Sequence, residues 1–421
     1  MSLPDVVVEP LEEWVAQQRW FASKSRAIAA INVLERVELS DDPALAIALV
    51  EARFHAGTHE LYQLVPGEPD GARLLAELLG SEPAIDGVRF HGGITPTGPM
   101  RPMGAEQSNS SVVFGEQYVL KVFRRLEPGV NPELEMLRFL SAREFPNIAA
   151  LAGWYEYQGE LMHATLGVMQ EYIAEARDGW QLALDDPAGL LARVGELGTA
   201  TGEMHSVLAS DREDPAFAPE EPSSEALSLL TATIDEQIER VFRDLPEDNP
   251  AVSPILNRGD EIRERLQQMS HVGVGGRLIR HHGDYHLGQT MLRDAGWIIL
   301  DFEGEPARSL LERRRKRSPL RDVAGMVRSF AYAASASQLM RGVAAPENWE
   351  ADAREAFLAA YLDAVDLTLL PAGRPAIDKL LAIFELEKAV YELRYELNNR
   401  PDWVSIPVAG IARLLETEVT S

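Results

Sequence analysis

Apolar positions fall into short strand-like runs early in the chain and into helical periodicity later. Residues 11–25, with Trp14, Val15, Trp20 and Phe21 among polar neighbours, predict a short amphipathic helix. Residues 31–39, 44–54 and 60–65 predict strands of an antiparallel meander, and a helix over 71–80 completes it. Asp41, Asp42 and Pro43, then Gly57, supply the turns. A strand and turn over 90–98 and a hairpin from 107–114 to 118–123 follow, then two strands, 149–157 and 161–169, around Gly159. Beyond Ala188 the period is helical over 191–208, 228–245, 260–269, 349–366 and 375–399, with a further long helix beginning at Arg321. Residues 210–224, rich in Pro, Asp and Glu, form an exposed connection. The pattern is α+β in three parts: a small α+β cap over 1–90, a β-rich part over 91–173 and a mainly helical part over 174–421.

One hairpin interrupts the helical part and organises the chemistry. Asp294 and Gly296 mark a turn between two apolar runs, so the stretches flanking it come close in space. One flank carries Asp284 and Gln289, the other Asp301. Phosphoryl transfer needs a carboxylate to orient and deprotonate an attacking hydroxyl, and oxygen ligands for magnesium on the nucleotide phosphates. Asp284, followed after four residues by Gln289, has the kinase spacing of a catalytic Asp and a metal-binding amide. Asp301 follows an apolar strand, where the kinase metal-binding Asp sits; an amide carbonyl and a carboxylate both suit a hard cation.

Lys121 lies inside the apolar run Tyr118–Phe123, where a cation is costly to bury without a partner. In a kinase such a lysine reaches the α- and β-phosphates and pairs with a helix glutamate. The alternative is an edge-strand lysine with its head in water. The helix opened by Asn131 as cap and Pro132 carries Glu133 and Glu135; Glu135 is the expected partner and Glu133 the rival. Ser108, Asn109 and Ser110, before the hairpin strand, could cradle phosphates through hydroxyls and backbone N–H groups, although they lack a glycine-rich pattern. Gln170 and Tyr172 stand where a kinase hinge would bind adenine. His205, on a helix, reads as structural. Asp322, at the start of the long helix, favours the helix N-terminus and in kinase-like folds braces the catalytic loop. On the last long helix Lys388, Tyr391, Tyr395 and Asn398 share one face with Glu392 beside it: a sugar platform, or an ordinary amphipathic face with surface ion pairs.

Composition narrows the classes. A net charge of -26 argues against nucleic acid or an anionic membrane as partner. The absence of cysteine excludes disulfides, thiolate metal sites and cysteine nucleophiles. Early acidic residues without an apolar run argue against a secretory signal, and no apolar run spans a bilayer, so a cytoplasmic protein is expected. The basic run Arg313 to Arg317 reads as a solvated loop or helix face, with phosphate or partner contact as the other reading.

These motifs resemble the maltokinase family of the aminoglycoside-phosphotransferase-like, protein-kinase-like superfamily. The resemblance rests on segments spread over nearly the whole chain. They include Gln17 to Phe21, Gln107 to Ser110, Leu120 to Arg125, Asn131 to Glu135, His282 to Gln289, Asp301 to Pro306, Ser318 to Met326 and Glu387 to Trp403. Gln289 replaces the Asn usual in the wider superfamily, as is typical of this branch; Ser110 stands where Thr is frequent and Tyr285 where Leu is more usual. The resemblance implies a bilobal kinase with an N-terminal cap, using ATP and magnesium to phosphorylate the anomeric hydroxyl of maltose. It implies Asp284 as base, Gln289 and Asp301 as metal ligands, and Lys121 with Glu135 positioning phosphates. His286, Glu303, Lys388, Tyr391, Glu392 and Tyr395 become acceptor-side candidates. Trehalose synthase, which supplies maltose in that pathway, is the partner it implies. The alternatives are a kinase of another small acceptor, such as glucosamine, glucose or an aminoglycoside, and a non-catalytic kinase-like module that binds a trehalose-metabolising enzyme.

Overall fold

The computed structural model describes residues 11–21, 23–41, 44–65, 70–104, 109–223, 225–270, 275–306, 308–342 and 344–416. The chain forms two compact units, Met1–Glu175 and Ala176–Ser421.

The first unit holds two antiparallel sheets. β1 (Ile28–Asp41), β2 (Ala44–Phe54) and β3 (His59–Leu64) form the meander. The sequence of the second sheet starts with β4 (Ala84–Ile85), β5 (Val88–His91), β6 (Met100–Pro102), β7 (Asn109–Phe114) and β8 (Tyr118–Phe123). β9 (Arg125–Leu126) returns to pair with β3, and β10 (Leu151–Gln158) and β11 (His163–Glu171) complete the second sheet in the order β4-β5-β10-β11-β8-β7-β6. The helices are α1 (Leu11–Gln17), α2 (Asp70–Ser81) and α3 (Pro132–Ser141).

β2 explains why these pieces form one unit. Its near-continuous apolar run is buried on both faces, and the two faces alternate. Ala48, Val50, Ala52 and Phe54 pack with Val15, Trp20 and Phe21, while Leu45, Ile47 and Leu49 join a core with Leu75, Phe114, Leu120 and Tyr155. The boundary expected near residue 90 therefore runs through a shared core: β5, at 88–91, pairs with β10. Gln63 ties the sheets together. Wholly buried, it donates to Phe123 O at 2.7 Å and Leu166 O at 2.6 Å, and its Oε1 accepts from the Tyr155 hydroxyl at 3.2 Å. The first helix is shorter than expected; Trp20 and Phe21 reach the core from a turn after it, both buried although adjacent.

The second unit is helical around one small sheet. The helices before the sheet's hairpin are α4 (Gly179–Asp185), α5 (Pro187–Leu208), α6 (Ala226–Arg243) and α7 (Gly259–Met269). β12 (Arg177–Asp178), β13 (Thr290–Arg293) and β14 (Gly296–Ile299) form the sheet, with the turn where the sequence placed it. Then come α8 (Leu310–Arg313), α9 (Leu320–Arg341), α10 (Trp349–Ala364), α11 (Arg374–Asn399) and α12 (Ser405–Glu416). Two close approaches set the frame. A Cβ on Gly198 of α5 would stand 2.3 Å from Phe357 O of α10, and one on Gly325 of α9 would stand 2.6 Å from Tyr285 O. Glycine at 325 thus lets α9 pack directly on the backbone that carries Asp284. Among the described residues no helix is long and apolar enough to cross a membrane.

Candidate active site

The site in the second unit is built from the back of a loop outward. Asp322, in the first turn of α9, is 2% exposed. It accepts from His282 N at 2.7 Å and Gly283 N at 2.9 Å, and from the His205 ring at 3.1 Å. His205 is wholly buried, and its other ring nitrogen meets the Tyr361 hydroxyl at 3.1 Å, so this histidine is structural, as its sequence context indicated. Burial alone would raise the Asp322 carboxyl, but His281, His205 and His282 facing it hold it well below the ordinary carboxylate range. Its negative charge fixes two successive backbone N–H groups of the loop. Gly283, at φ +87°, makes the turn between them and Asp284.

Tyr285 has a plain explanation. It is 3% exposed, and its hydroxyl meets Thr201 Oγ1 of α5 at 2.8 Å, a contact that leucine could not make. Leu287 N donates to Ser329 Oγ at 3.0 Å, and Thr290 Oγ1 donates to Leu287 O at 2.8 Å. The loop is thereby tied to both α5 and α9.

Asp284 emerges on the open side of this frame. Lys388 Nζ of α11 lies 3.8 Å from its Oδ1, and His286 Nε2 lies 3.9 Å from its Oδ2. His286 Nδ1 accepts from Gly288 N at 3.1 Å, which assigns the ring proton to Nε2, toward Asp284. Burial pushes the His286 pKa down, against the pull of Asp284, so the ring is neutral at neutral pH. Across the hairpin, Gln289 Nε2 donates to Asp301 Oδ2 at 3.2 Å. That bond orients the amide and leaves Gln289 Oε1 and a carboxylate as oxygen donors of the kind a hard divalent cation takes. Asp301 holds a left-handed φ of +60°, a conformation that Asp tolerates better than most residues and that recurs at functional sites.

Beside Asp284 lies a cavity of about 760 Å³. His286, Lys388, Tyr391, Glu392 and Tyr395 line it, as do Trp180, Tyr332, Glu396, Arg400 and Trp403, which the sequence reading did not assign. Trp403 and Tyr332 stack with ring centroids 6.2 Å apart. The carboxylates of α11 here are already paired. Glu392 accepts from Arg328 at 2.6 and 3.0 Å. Glu396 accepts from Arg400 at 2.6 and 2.9 Å and from the Tyr332 hydroxyl at 3.1 Å. Glu396 was findable, one turn beyond Glu392 on the same helix face; Arg328 and Tyr332 lie on another helix, and no local pattern pointed to them. Two expected residues fall elsewhere. Glu303 does not line this cavity; Arg313 donates to its carbonyl at 3.1 Å. Asn398 donates to Arg394 O at 2.7 Å on its own helix.

In the first unit, Lys121 sits on β8, an interior strand between β7 and β11, and is 6% exposed. The edge-strand reading is thereby excluded. Its Nζ lies 2.7 Å from Glu133 Oε2, so the expected pairing with Glu135 is corrected to Glu133. Asn131 caps α3 by accepting from Glu133 N at 2.8 Å, which fixes the helix register; residues two apart point about 200° apart around a helix. Glu135 is buried too, at 5%. Ser110 accepts from Arg124 Nε at 2.8 Å, and Asn109 begins β7. Ser108 lies outside the described residues. Gln170 is in β11. Tyr172 N donates to Gln117 O at 2.8 Å, and its hydroxyl accepts from Arg101 Nη2 at 2.8 Å, so that N–H is engaged within the protein.

Within the basic run Arg315 is exposed, as a solvated face would be, but Lys316 is not. Lys316 donates to Pro215 O, Ala218 O and Glu220 Oε1, each at 2.7 Å, and anchors the connection that follows α5.

The fold and this loop define a phosphotransferase. Residues 99–376 match the model of the phosphotransferase enzyme family, and residues 14–76 match the maltokinase N-terminal cap domain. The chain belongs to the phosphotransferase enzyme family and carries the maltokinase cap ahead of it. It is 26% identical over 371 residues to a glucosamine kinase of Streptacidiphilus jiangxiensis, covering 83% of this chain and 82% of that one. It is 28% identical over 335 residues to a glucosamine kinase of Mycolicibacterium smegmatis, covering 75% and 79%. A solved structure of glucosamine kinase in complex with glucosamine, ADP and inorganic phosphate superposes with a TM-score of 0.74 at 22% identity, over 96% of this chain and 99% of that one. The fold is the aminoglycoside-phosphotransferase-like kinase fold, helix and sheet mixed, with the cap at its N-terminal end.

Proposed function

We propose that the protein is an ATP-dependent kinase that phosphorylates the anomeric hydroxyl of maltose, giving maltose 1-phosphate. One observation carries the choice of acceptor: the cavity beside Asp284 is walled by aromatic rings, and its α11 carboxylates Glu392 and Glu396 are each taken up by an arginine. Rings stack on the apolar faces of a pyranose, and charged pairs hydrogen-bond its hydroxyls. An amino sugar would instead call for a carboxylate facing its ammonium group; of the other two carboxylates in this wall, Asp284 is taken as the base and Asp178 caps α4 by accepting from Gln181 N at 2.8 Å. A cavity of about 760 Å³ accommodates two sugar rings and falls within the ~300–1,000 Å³ usual for small-molecule sites.

Asp284 orients the acceptor hydroxyl and accepts its proton as the oxygen attacks the terminal phosphorus of ATP, whose bond to the bridging oxygen breaks so that ADP leaves. Lys388 and the Nε2–H of His286 face its two oxygens, at 3.8 and 3.9 Å, and keep the carboxylate aimed. Gln289 and Asp301 would hold magnesium, which neutralises charge on the nucleotide phosphates when bound. Lys121, fixed by Glu133, would position the nucleotide phosphates. On this reading the maltose comes from isomerisation of trehalose, and trehalose synthase is the proposed partner.

The test is ADP release with ATP, magnesium and a panel of maltose, glucose, glucosamine and an aminoglycoside. Maltose should turn over best, and Trp403→Ala should raise its KM by about tenfold while leaving any glucose turnover nearly unchanged. The second reading, an amino-sugar kinase, is favoured by the glucosamine kinase relatives. It replaces the first if glucosamine outranks maltose.

A further inference from the structure

A second, smaller cavity of about 110 Å³ shares Asp284, Lys388 and Tyr391 with the acceptor cavity. Its remaining wall is rich in arginine, drawn from the segment between β14 and α9 and from the first turn of α9. Asp284 apart, the carboxylates that line it are already committed. Arg308 Nε bonds Glu305 at 2.6 Å, and Arg321 bonds Glu387 at 2.9 Å with its guanidinium over the Phe384 ring. Glu312 accepts from the Ser309 hydroxyl at 2.8 Å and backbone N at 3.1 Å in a capping box.

Arg317 is the surplus cation. Its side chain makes no hydrogen bond or ion pair among the described residues. Burial first, and then the like charges of Arg321 and Arg308, push its pKa down to about 10. The wall sets Arg308, Arg313, Arg317, Arg321 and Lys388 against Asp284, Glu305, Glu312, Asp322 and Glu387, so charge is balanced in number and it is the pairing of the carboxylates elsewhere that leaves Arg317 over. A second group in the same wall also lacks a partner. His281 is 8% exposed, and its buried Nδ1 has no hydrogen-bond partner among the described residues. Surplus fork-shaped donors and an orphan ring nitrogen around one small space suit a ligand that is anionic, compact and rich in acceptors. A volume of about 110 Å³ is several times the ~30 Å³ of a water and far below the ~300 Å³ of the smaller drug-sized pockets.

We infer that this cavity binds a tetrahedral oxyanion of the phosphate class, held by Arg317 with Arg321 and His281 beside it. Occupancy places a second anion near Lys388, which then divides its charge between that anion and Asp284. The oxyanion is either free phosphate or the phosphoryl group of a phosphorylated sugar. The inference does not depend on which sugar the enzyme accepts.

The experiment is calorimetric titration of the full chain, without nucleotide, metal or acceptor, with inorganic phosphate and separately with a sugar 1-phosphate. One site is expected, weakened about tenfold or more in Arg317→Met and less in Arg317→Lys, which keeps the charge but loses the fork. Arg317 exchanges both backbone hydrogen bonds with Ile279 at 2.9 Å, so its chain position does not depend on the side chain; thermal unfolding of both variants checks this. Tighter binding of the sugar phosphate supports the site with product as its ligand, and tighter binding of inorganic phosphate supports it with the free ion. No binding to the unaltered protein at millimolar phosphate, or equal binding by a folded Arg317→Met, overturns the inference.

Discussion

Asp322 and Asp284 serve the same loop in opposite ways. Asp322, behind it, is buried and bonded by two backbone N–H groups and a histidine. Asp284, in front, has its side chain about one quarter exposed, and the lysine and neutral imidazole facing it stand no closer than 3.8 Å. A fully satisfied buried carboxylate makes a rigid anchor, because each bond it accepts would be expensive to strand. A carboxylate with spare lone pairs beside a cavity can accept a further proton. On the proposed reading the loop separates holding from reacting, and it does so with one residue type in two environments.

Substitutions at the two aspartates should break this division in different observables. Asp284→Asn should lower kcat by about 10³-fold, in line with the loss of a general base, while the unfolding midpoint stays within a degree or two. Retained turnover would show that the base is misassigned. Asp322→Ala strands two backbone N–H groups and the His205 ring, and should lower unfolding stability by about 3 kcal/mol in denaturant titration. An unaltered midpoint would mean that the anchor is not one.

Acid should act on the back of the loop. His281 is held down to a pKa of about 3 by burial, with Arg321, Arg317 and His205 adding to the shift and Asp322 opposing it. The unfolded chain binds that proton near pH 6.5 and the folded one does not, so stability is greatest above 6.5 and falls as pH drops toward 3. Each pH unit inside that window costs about 1.4 kcal/mol for one such group. The lowered Asp322 carboxyl adds a loss in the same direction, beginning below the ordinary Asp range. His281→Gln should flatten the slope between pH 6 and 5 (roughly one such unit), and an unchanged slope would remove His281 from the account. The smallest effect is expected at Tyr285→Phe. It loses only the bond to Thr201, about 1 kcal/mol of stability, with turnover nearly intact.

Spacing made the front of the site legible. Asp284, Gln289 and Asp301 are linked by a hairpin whose turn residues and strands are local, and the structure brings Gln289 and Asp301 to 3.2 Å. Lys121 stood out because a cation in an apolar strand demands a partner. Its partner was not legible. Glu133 and Glu135 lie in one helical turn, and only the docking of α3 against the sheet chooses between them. Gln63, whose bonds span 60 to 103 residues, gave no signal at all. The basic run misled for a similar reason. Charge runs are usually solvated, and nothing near Lys316 in sequence shows that the carbonyls of Pro215 and Ala218 close around it.

By itself the sequence determined the strands, the helices, the hairpin and the carboxylates that flank it, because periodicity, turn chemistry and short spacings are local properties of a chain. Tertiary structure decided which of those charges are spent on one another. Arg328 neutralises Glu392 across 64 residues, Asp322 is consumed in bracing a loop, and Arg317 is left over. Electrostatic partnership depends on distance and burial, and both are fixed only when remote segments pack.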